Sequence, residues 1–145
     1  DQIKLQMQNV SEISTRNELP FFFLFTTPHN IKFVTDIENY PVFEDGRKIR
    51  YRDPEGVNTN FVEEKEGVYH VRTYERGVED ETLACGTGAT SVAIAAHAIG
   101  ILKEAVCHIK MPGGDLKIEF EKMESGNYEN IWLTGPAVCV FKGEI

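Results

Sequence analysis

Between Thr87 and Ile101 the chain reads Thr-Gly-Ala-Thr-Ser-Val-Ala-Ile-Ala-Ala-His-Ala-Ile-Gly-Ile. Ala, Val and Ile occupy nearly every side of the helix that this segment predicts. A helix that is apolar all round has no face to give to water and is buried. Gly100 marks its C-terminal end, where a left-handed residue is favoured. Most of the remaining sequence reads as short strands, so strands must do the covering. The combination predicts an α+β fold, a strand-rich, barrel-like sheet wrapped around one central buried helix. A doubly wound fold is disfavoured, because the strands and helices do not alternate.

The strands are read from period and punctuation. Ile3, Leu5 and Met7 alternate with Lys4 and Gln6, the pattern of a half-buried strand. Phe21 to Phe25 reads as a buried strand, and Ile31 to Val34 pairs with it after a turn at Pro28-His29-Asn30. Tyr40 to Arg50 is ambiguous, with a short helix entered at Pro41 as one reading. Val57 to Glu64 and Val68 to Tyr74 flank Glu66-Gly67 and read as a hairpin. After the helix, strands are expected at Ala105 to Lys110, Leu116 to Glu121, Ile131 to Thr134 and Val138 to Phe141. Turns at Pro112-Gly113-Gly114-Asp115, Ser125-Gly126-Asn127 and Thr134-Gly135-Pro136 separate them.

A length of 145 residues suits one domain. The net charge of −8 argues against a nucleic-acid surface and a polybasic membrane anchor. No apolar run reaches the roughly 18 residues needed to span a bilayer. Three cysteines without a Cys-x-x-Cys spacing argue against a disulfide framework and a structural metal site. Reduced thiols and a cytoplasmic location are the expectation. Residue 1 is Asp and a strand begins almost at once, so further residues are expected to precede it.

The chemistry-bearing stretch is Glu75-Arg76-Gly77-Val78-Glu79-Asp80-Glu81-Thr82-Leu83-Ala84-Cys85-Gly86-Thr87-Gly88-Ala89. Cys85 immediately precedes the helix. The first backbone N–H groups of a helix have no partner within it, and they sit at the positive end of its dipole. A cysteine there is expected to have a lowered pKa, and a carboxylate can dock on the same amides. A thiolate beside a carboxylate clamp suits proton abstraction at the carbon α to that carboxylate. The residues alone also admit a plainer reading, since a free cysteine is commonly a small buried apolar group.

Neighbouring motifs are weaker. Gly86-Thr87-Gly88 lacks the third glycine of a dinucleotide fingerprint, and no Gly-Lys-Ser/Thr follows it. His97 lies twelve residues along the helix from Cys85, or about 18 Å, and is read as a packing or surface residue. His70 and His108 fall in strands. His29 is the histidine with a loop-like setting.

Taken together, Tyr74-Glu75-Arg76-Gly77 and Thr82-Leu83-Ala84-Cys85-Gly86-Thr87-Gly88-Ala89 resemble the C-terminal active-site signature of the diaminopimelate epimerases. The resemblance extends over nearly the whole chain, through Pro28-His29, Asn58-Thr59-Asn60-Phe61, Met111-Pro112-Gly113-Gly114 and Thr134-Gly135-Pro136-Ala137. It implies the C-terminal half of a cytoplasmic isomerase of lysine and peptidoglycan biosynthesis, with the N-terminal half absent. It implies interconversion of LL- and meso-diaminopimelate by two cysteines, without pyridoxal phosphate or any other cofactor and without a metal.

By that resemblance Cys85 is the second cysteine of the pair, with Glu75 and His29 near its thiol and the reacting amine. Gly86 and Thr87 hold the reacting carboxylate through their N–H groups. Arg76 and Asn58 bind the distal carboxylate, and Glu75 also lines the substrate. The implied partners are the small-molecule substrate and the missing half, with a homodimer left open. Thr26 and Thr27 depart from the family's usual residues before Pro-His. The family's first catalytic cysteine has no counterpart here, since Cys107 and Cys139 lie in expected strands. Half a cleft with one acid–base group is expected to be inactive alone. A proline- or hydroxyproline-racemase-type isomerase and a non-catalytic carboxylate-binding module remain as alternatives.

Overall fold

In the computed structural model of the chain, residues 1–11, 13–16, 19–24 and 27–145 are described, with side-chain surroundings for 1–11 and 28–145. The fold is mixed α+β. Among the described residues ten strands form one open sheet with two helices.

The strands are β1 (Gln2–Gln6), β2 (Ile13–Arg16), β3 (Leu19–Leu24), β4 (Thr27–Phe33), β5 (Asn58–Lys65), β6 (Val68–Glu75), β7 (Asp80–Thr82), β8 (Val106–Met111), β9 (Gly114–Lys122) and β10 (Tyr128–Pro136). The helices are α1 (Val42–Arg52) and α2 (Gly86–Ala98). Strand order is β1-β10-β9-β8-β6-β5-β4-β3-β2, with β7 paired to β6. Two seams are parallel, β4 with β5 and β6 with β8. Each is bridged by a long connection holding a helix, as parallel neighbours require.

The apolar helix is α2. Every residue from Gly88 to Ala96 is buried. It packs against β3, β4, β5, β8, β9 and β10. Gly100 takes φ +85 just past its end, and its N–H donates to the His97 carbonyl. Helix α1 packs on the other face, against β5, β6 and β7. Side chains alternate along a strand, so Val62 and Val71 join the α2 core while Phe61 and Tyr74 join the α1 core. Gly46 sits where α1 crosses Tyr74, and a Cβ there would overlap the Tyr74 side chain.

The Glu66-Gly67 hairpin forms as expected, with φ of 52° and 83° at its two turn residues. Several expectations are corrected. Pro28-His29-Asn30 is not a turn but the body of β4, held between β3 and β5. Phe25 and the burial of Phe21 to Leu24 lie outside the described residues and side chains. The acidic segment contains β7, which the Arg72 guanidinium secures by a two-pronged pair with Glu81 at 2.6 and 2.7 Å. Thr134-Gly135-Pro136 continues β10 because β1 pairs with it there. Ile3 and Leu5 are exposed, since β1 is an edge strand with neither face covered. Val138 to Phe141 form no strand and are exposed. No helix among the described residues is long and apolar enough to cross a membrane.

Candidate active site at the start of α2

Cys85 is the N-cap of α2, in extended conformation. Its sulfur accepts from the Gly88 N–H at 3.3 Å and lies 3.6 Å from Thr87 Oγ1. The sulfur therefore does what a Ser or Asp oxygen does at an N-cap, meeting one of the helix's unpaired donors. Its own N–H donates to Met111 Sδ at 3.5 Å, and the Gly113 N–H donates to the Leu83 carbonyl at 2.7 Å. The β8–β9 turn thus braces the segment that carries the thiol. Gly86 and Thr87 are half-buried, and their amides occupy the first turn, where no intrahelical acceptor exists.

The thiol does not have the lowered pKa expected of it. Cys85 is only 8% exposed. Burial pushes the thiol up, and the Glu75 carboxylate adds to that; Thr87 and the Gly88 amide pull it back. Desolvation of the thiolate outweighs the helix-terminal donors.

Alternation along the strands sets His29, Asn58 and Glu75 on the α2 face, while Arg76 lies just past the end of β6. His29 pairs with Asn58 across the parallel β4/β5 seam, and Asn60 pairs with Thr73 across β5/β6. His29 is fully buried. Its pKa is lowered to about 4, chiefly by burial and then by the Arg76 guanidinium. Asn58 Oδ1 accepts from the Arg76 backbone N–H at 2.7 Å, fixing the chain where it leaves β6. Arg76 Nη1 donates to the Glu55 carbonyl at 2.8 Å. Glu75 is half-buried at the end of β6, and its charge is felt at Cys85.

The structure therefore links the expected residues in two sets, His29 with Asn58 and Arg76, and Cys85 with Thr87 and Glu75. Asn60 joins the sets. It contacts the His29 ring, and a Cβ at Gly88 would overlap its Oδ1 while standing 3.1 Å from Cys85 Sγ. Sequence reasoning gave Asn60 no role beyond its place in the Asn-x-Asn-Phe pattern. Its partner Thr73 was read only as part of the strand Val68 to Tyr74. Met111, the acceptor behind Cys85, was read only as part of a turn.

His97 is half-buried and packs as expected, with Nδ1 2.8 Å from the Tyr128 hydroxyl. Cys107 is buried in β8, where burial pushes its thiol up to about 12, and Cys139 is exposed beyond β10. Among the described residues no cluster of three His, Cys, Asp or Glu could hold a metal ion. A cavity of about 670 Å³ follows the β6/β8 seam, lined by Lys65, His70, His108 and Lys110 among others. None of the gathered residues lines it, and size alone does not make it the site. A smaller one of about 190 Å³ is lined by Ile3, Leu5, Leu116 and Leu133. Leu133 lies against Gly86, where a Cβ would be 2.9 Å from its methyl.

The sequence pattern described as "Diaminopimelate epimerase" matches residues 21–140. The diaminopimelate epimerase of Flavobacterium psychrophilum is 43% identical over 150 residues, covering 100% of this chain and 57% of that protein. That of Aquifex aeolicus is 42% identical over 123 residues, covering 81% of this chain and 43% of that protein. The chain spans about half the length of the curated relatives it matches. Two solved structures share its fold at low identity. A hydroxyproline epimerase from Agrobacterium vitis gives a TM-score of 0.58 at 15% identity, covering 93% of this chain and 50% of that one. A PhzF-family phenazine biosynthesis protein from Bacillus anthracis gives 0.52 at 23% identity, covering 87% and 38%.

Proposed function

Since this chain belongs to the diaminopimelate epimerase family, we propose that it supplies one half of an active site that inverts LL- and meso-diaminopimelate at the α-carbon. The observation that carries the reading is a thiol at the N-cap of a glycine-bearing helix, with Glu75 acting on the thiol and with the helix's first turn against Asn60, which also contacts His29. In this reading the chain is one domain, and its sheet wraps α2 so that only the start of the helix faces the ligand.

The Gly86 and Thr87 amides receive the reacting carboxylate, where developing negative charge is stabilised. Cys85 moves one proton. Burial favours the neutral thiol, so Cys85 acts as the acid when the proton arrives from its side and as the base in the reverse direction. Inversion needs a second acid–base group on the opposite face, because a single base returns the proton to the side it left. A cysteine from the other half of the protein supplies it; neither buried Cys107 nor Cys139 is set at a helix terminus. The Arg76 guanidinium and Asn58 recognise the distal carboxylate, for which a planar fork of donors is suited. Glu75 borders the thiol and the reacting amine. The chemistry is carried by these side chains in the cytoplasm without pyridoxal phosphate.

Incubation of the chain with LL-diaminopimelate in D₂O tests this. The expected outcome is binding without epimerisation at an ordinary enzymatic rate. Full epimerisation by the chain alone would overturn the division of the two proton-transfer groups between halves. Absence of any diaminopimelate binding would overturn the substrate assignment.

A further inference from the structure

Asn60 is fully buried, and each end of its side-chain amide meets a different partner. Nδ2 donates to the Asn30 carbonyl oxygen at 3.2 Å. Oδ1 accepts from Thr73 Oγ1 at 2.8 Å. A backbone carbonyl can only accept. Turning the amide over would set oxygen against oxygen at Asn30, so its orientation is fixed by a group of known polarity rather than by assignment.

The remaining contact of Nδ2 is His29 Nδ1 at 3.3 Å. An amide nitrogen only donates. Nδ1 must therefore present a lone pair, and the ring proton of a neutral imidazole must sit on Nε2. His29 Nε2 is buried and has no hydrogen-bond partner among the described residues. A buried donor without an acceptor is costly, so its persistence calls for a ligand or another specific explanation. The Arg76 guanidinium nearby opposes a second positive charge on the ring.

We propose that Asn60 is a positioning residue that locks His29 as the neutral tautomer with its proton on Nε2. His29 then serves the reaction as a fixed hydrogen-bond donor to the substrate and not as a proton-transfer base. The donor role rests on the epimerase reading; the tautomer does not.

Long-range ¹H–¹⁵N spectra of the chain labelled at histidine nitrogen test both parts. The expected spectrum shows His29 with hydrogen-bearing Nε2 and lone-pair Nδ1 from pH 6 to 8. Asn60→Asp replaces the donor by an acceptor and is expected to bring a proton onto Nδ1. Thr73→Val leaves the Asn30 carbonyl in place and is expected to keep the native tautomer, so it serves if Asn60→Asp does not fold. A native ring with its proton on Nδ1, or one titrating near 6.5, would overturn the proposal. On adding LL-diaminopimelate the Nε2 proton is expected to shift downfield. Binding that leaves this proton unmoved overturns the donor role alone. No binding at all, with the tautomer intact, overturns the epimerase reading and leaves the tautomer assignment standing.

Discussion

Gly88 and Asn60 meet without room for a methyl group between them, since a Cβ at residue 88 would overlap Asn60 Oδ1. The contact sets how closely the first turn of α2 approaches β5. Gly88→Ala is expected to destabilise the fold by up to about 2 kcal/mol. Overpacking costs about 1–3 kcal/mol, and the helix-propensity gain of about 1 kcal/mol offsets only part of it. Urea denaturation reads the loss. Because the added methyl also crowds Cys85 Sγ at 3.1 Å, the rate of alkylation at Cys85 is expected to change as well. An unchanged or raised stability would show that the helix can retreat from β5.

Stability is expected to fall between pH 6.5 and pH 4 through His29. The ring's pKa is about 4 when folded against an ordinary 6.5. In that window the unfolded chain binds the proton and the folded chain does not, so stability is lost as pH falls. The shift corresponds to about 3 kcal/mol when fully developed. His97, also shifted down by burial, acts in the same direction. Denaturation midpoints across this range should be flatter in His29→Gln. Equal slopes in the two proteins would remove His29 as the cause.

Cys85 is expected to alkylate more slowly than a free thiol at neutral pH, because burial favours its protonated form. Thr87→Ala removes a partner that stabilises the thiolate and should slow the reaction further. Glu75→Gln removes a repelling charge and should speed it. The pH dependence of iodoacetamide labelling measures all three. A thiol reacting faster than free cysteine at pH 7 would reverse the electrostatic account.

Arg72 ties β7 to the segment before α1. Besides the pair with Glu81, its Nη1 donates to the Ile37 carbonyl at 2.8 Å and the Tyr40 carbonyl at 3.1 Å. Both charged side chains are one-quarter exposed, so solvent weakens the ion pair. Arg72→Ala is expected to cost about 1–2 kcal/mol. Hydrogen exchange should show the loss concentrated at Asp80 to Thr82 rather than in α2.

The apolar helix was legible because its burial follows from composition on every side, and the 66–67 hairpin because Glu-Gly is local turn chemistry. The failures share a different cause. Pro28-His29-Asn30 looks like a turn within its own neighbourhood, yet it is held as a strand by two partners remote in sequence. Thr134-Gly135-Pro136 is drawn into β10 in the same way by β1. At the site, the motif marked Cys85 and its glycines correctly as the start of a helix. It could not reveal that desolvation outweighs the helix donors at the sulfur. Nor could it reveal Asn60 as the bridge to His29, because that role exists only once β4, β5 and β6 lie side by side.

The seam that sets His29 beside Asn58 joins strands running the same way, separated in sequence by all of α1. Insertions therefore have very different consequences on either side of it. Extra residues between Thr35 and Asp36, both exposed in the connection from β4 to α1, would lengthen a surface link. A single residue added between Asn30 and Ile31 would rotate the following side chains to the opposite face, carrying Ile31 out of the core. The chain is thus tolerant of length where it travels between strands and intolerant where the two strands touch.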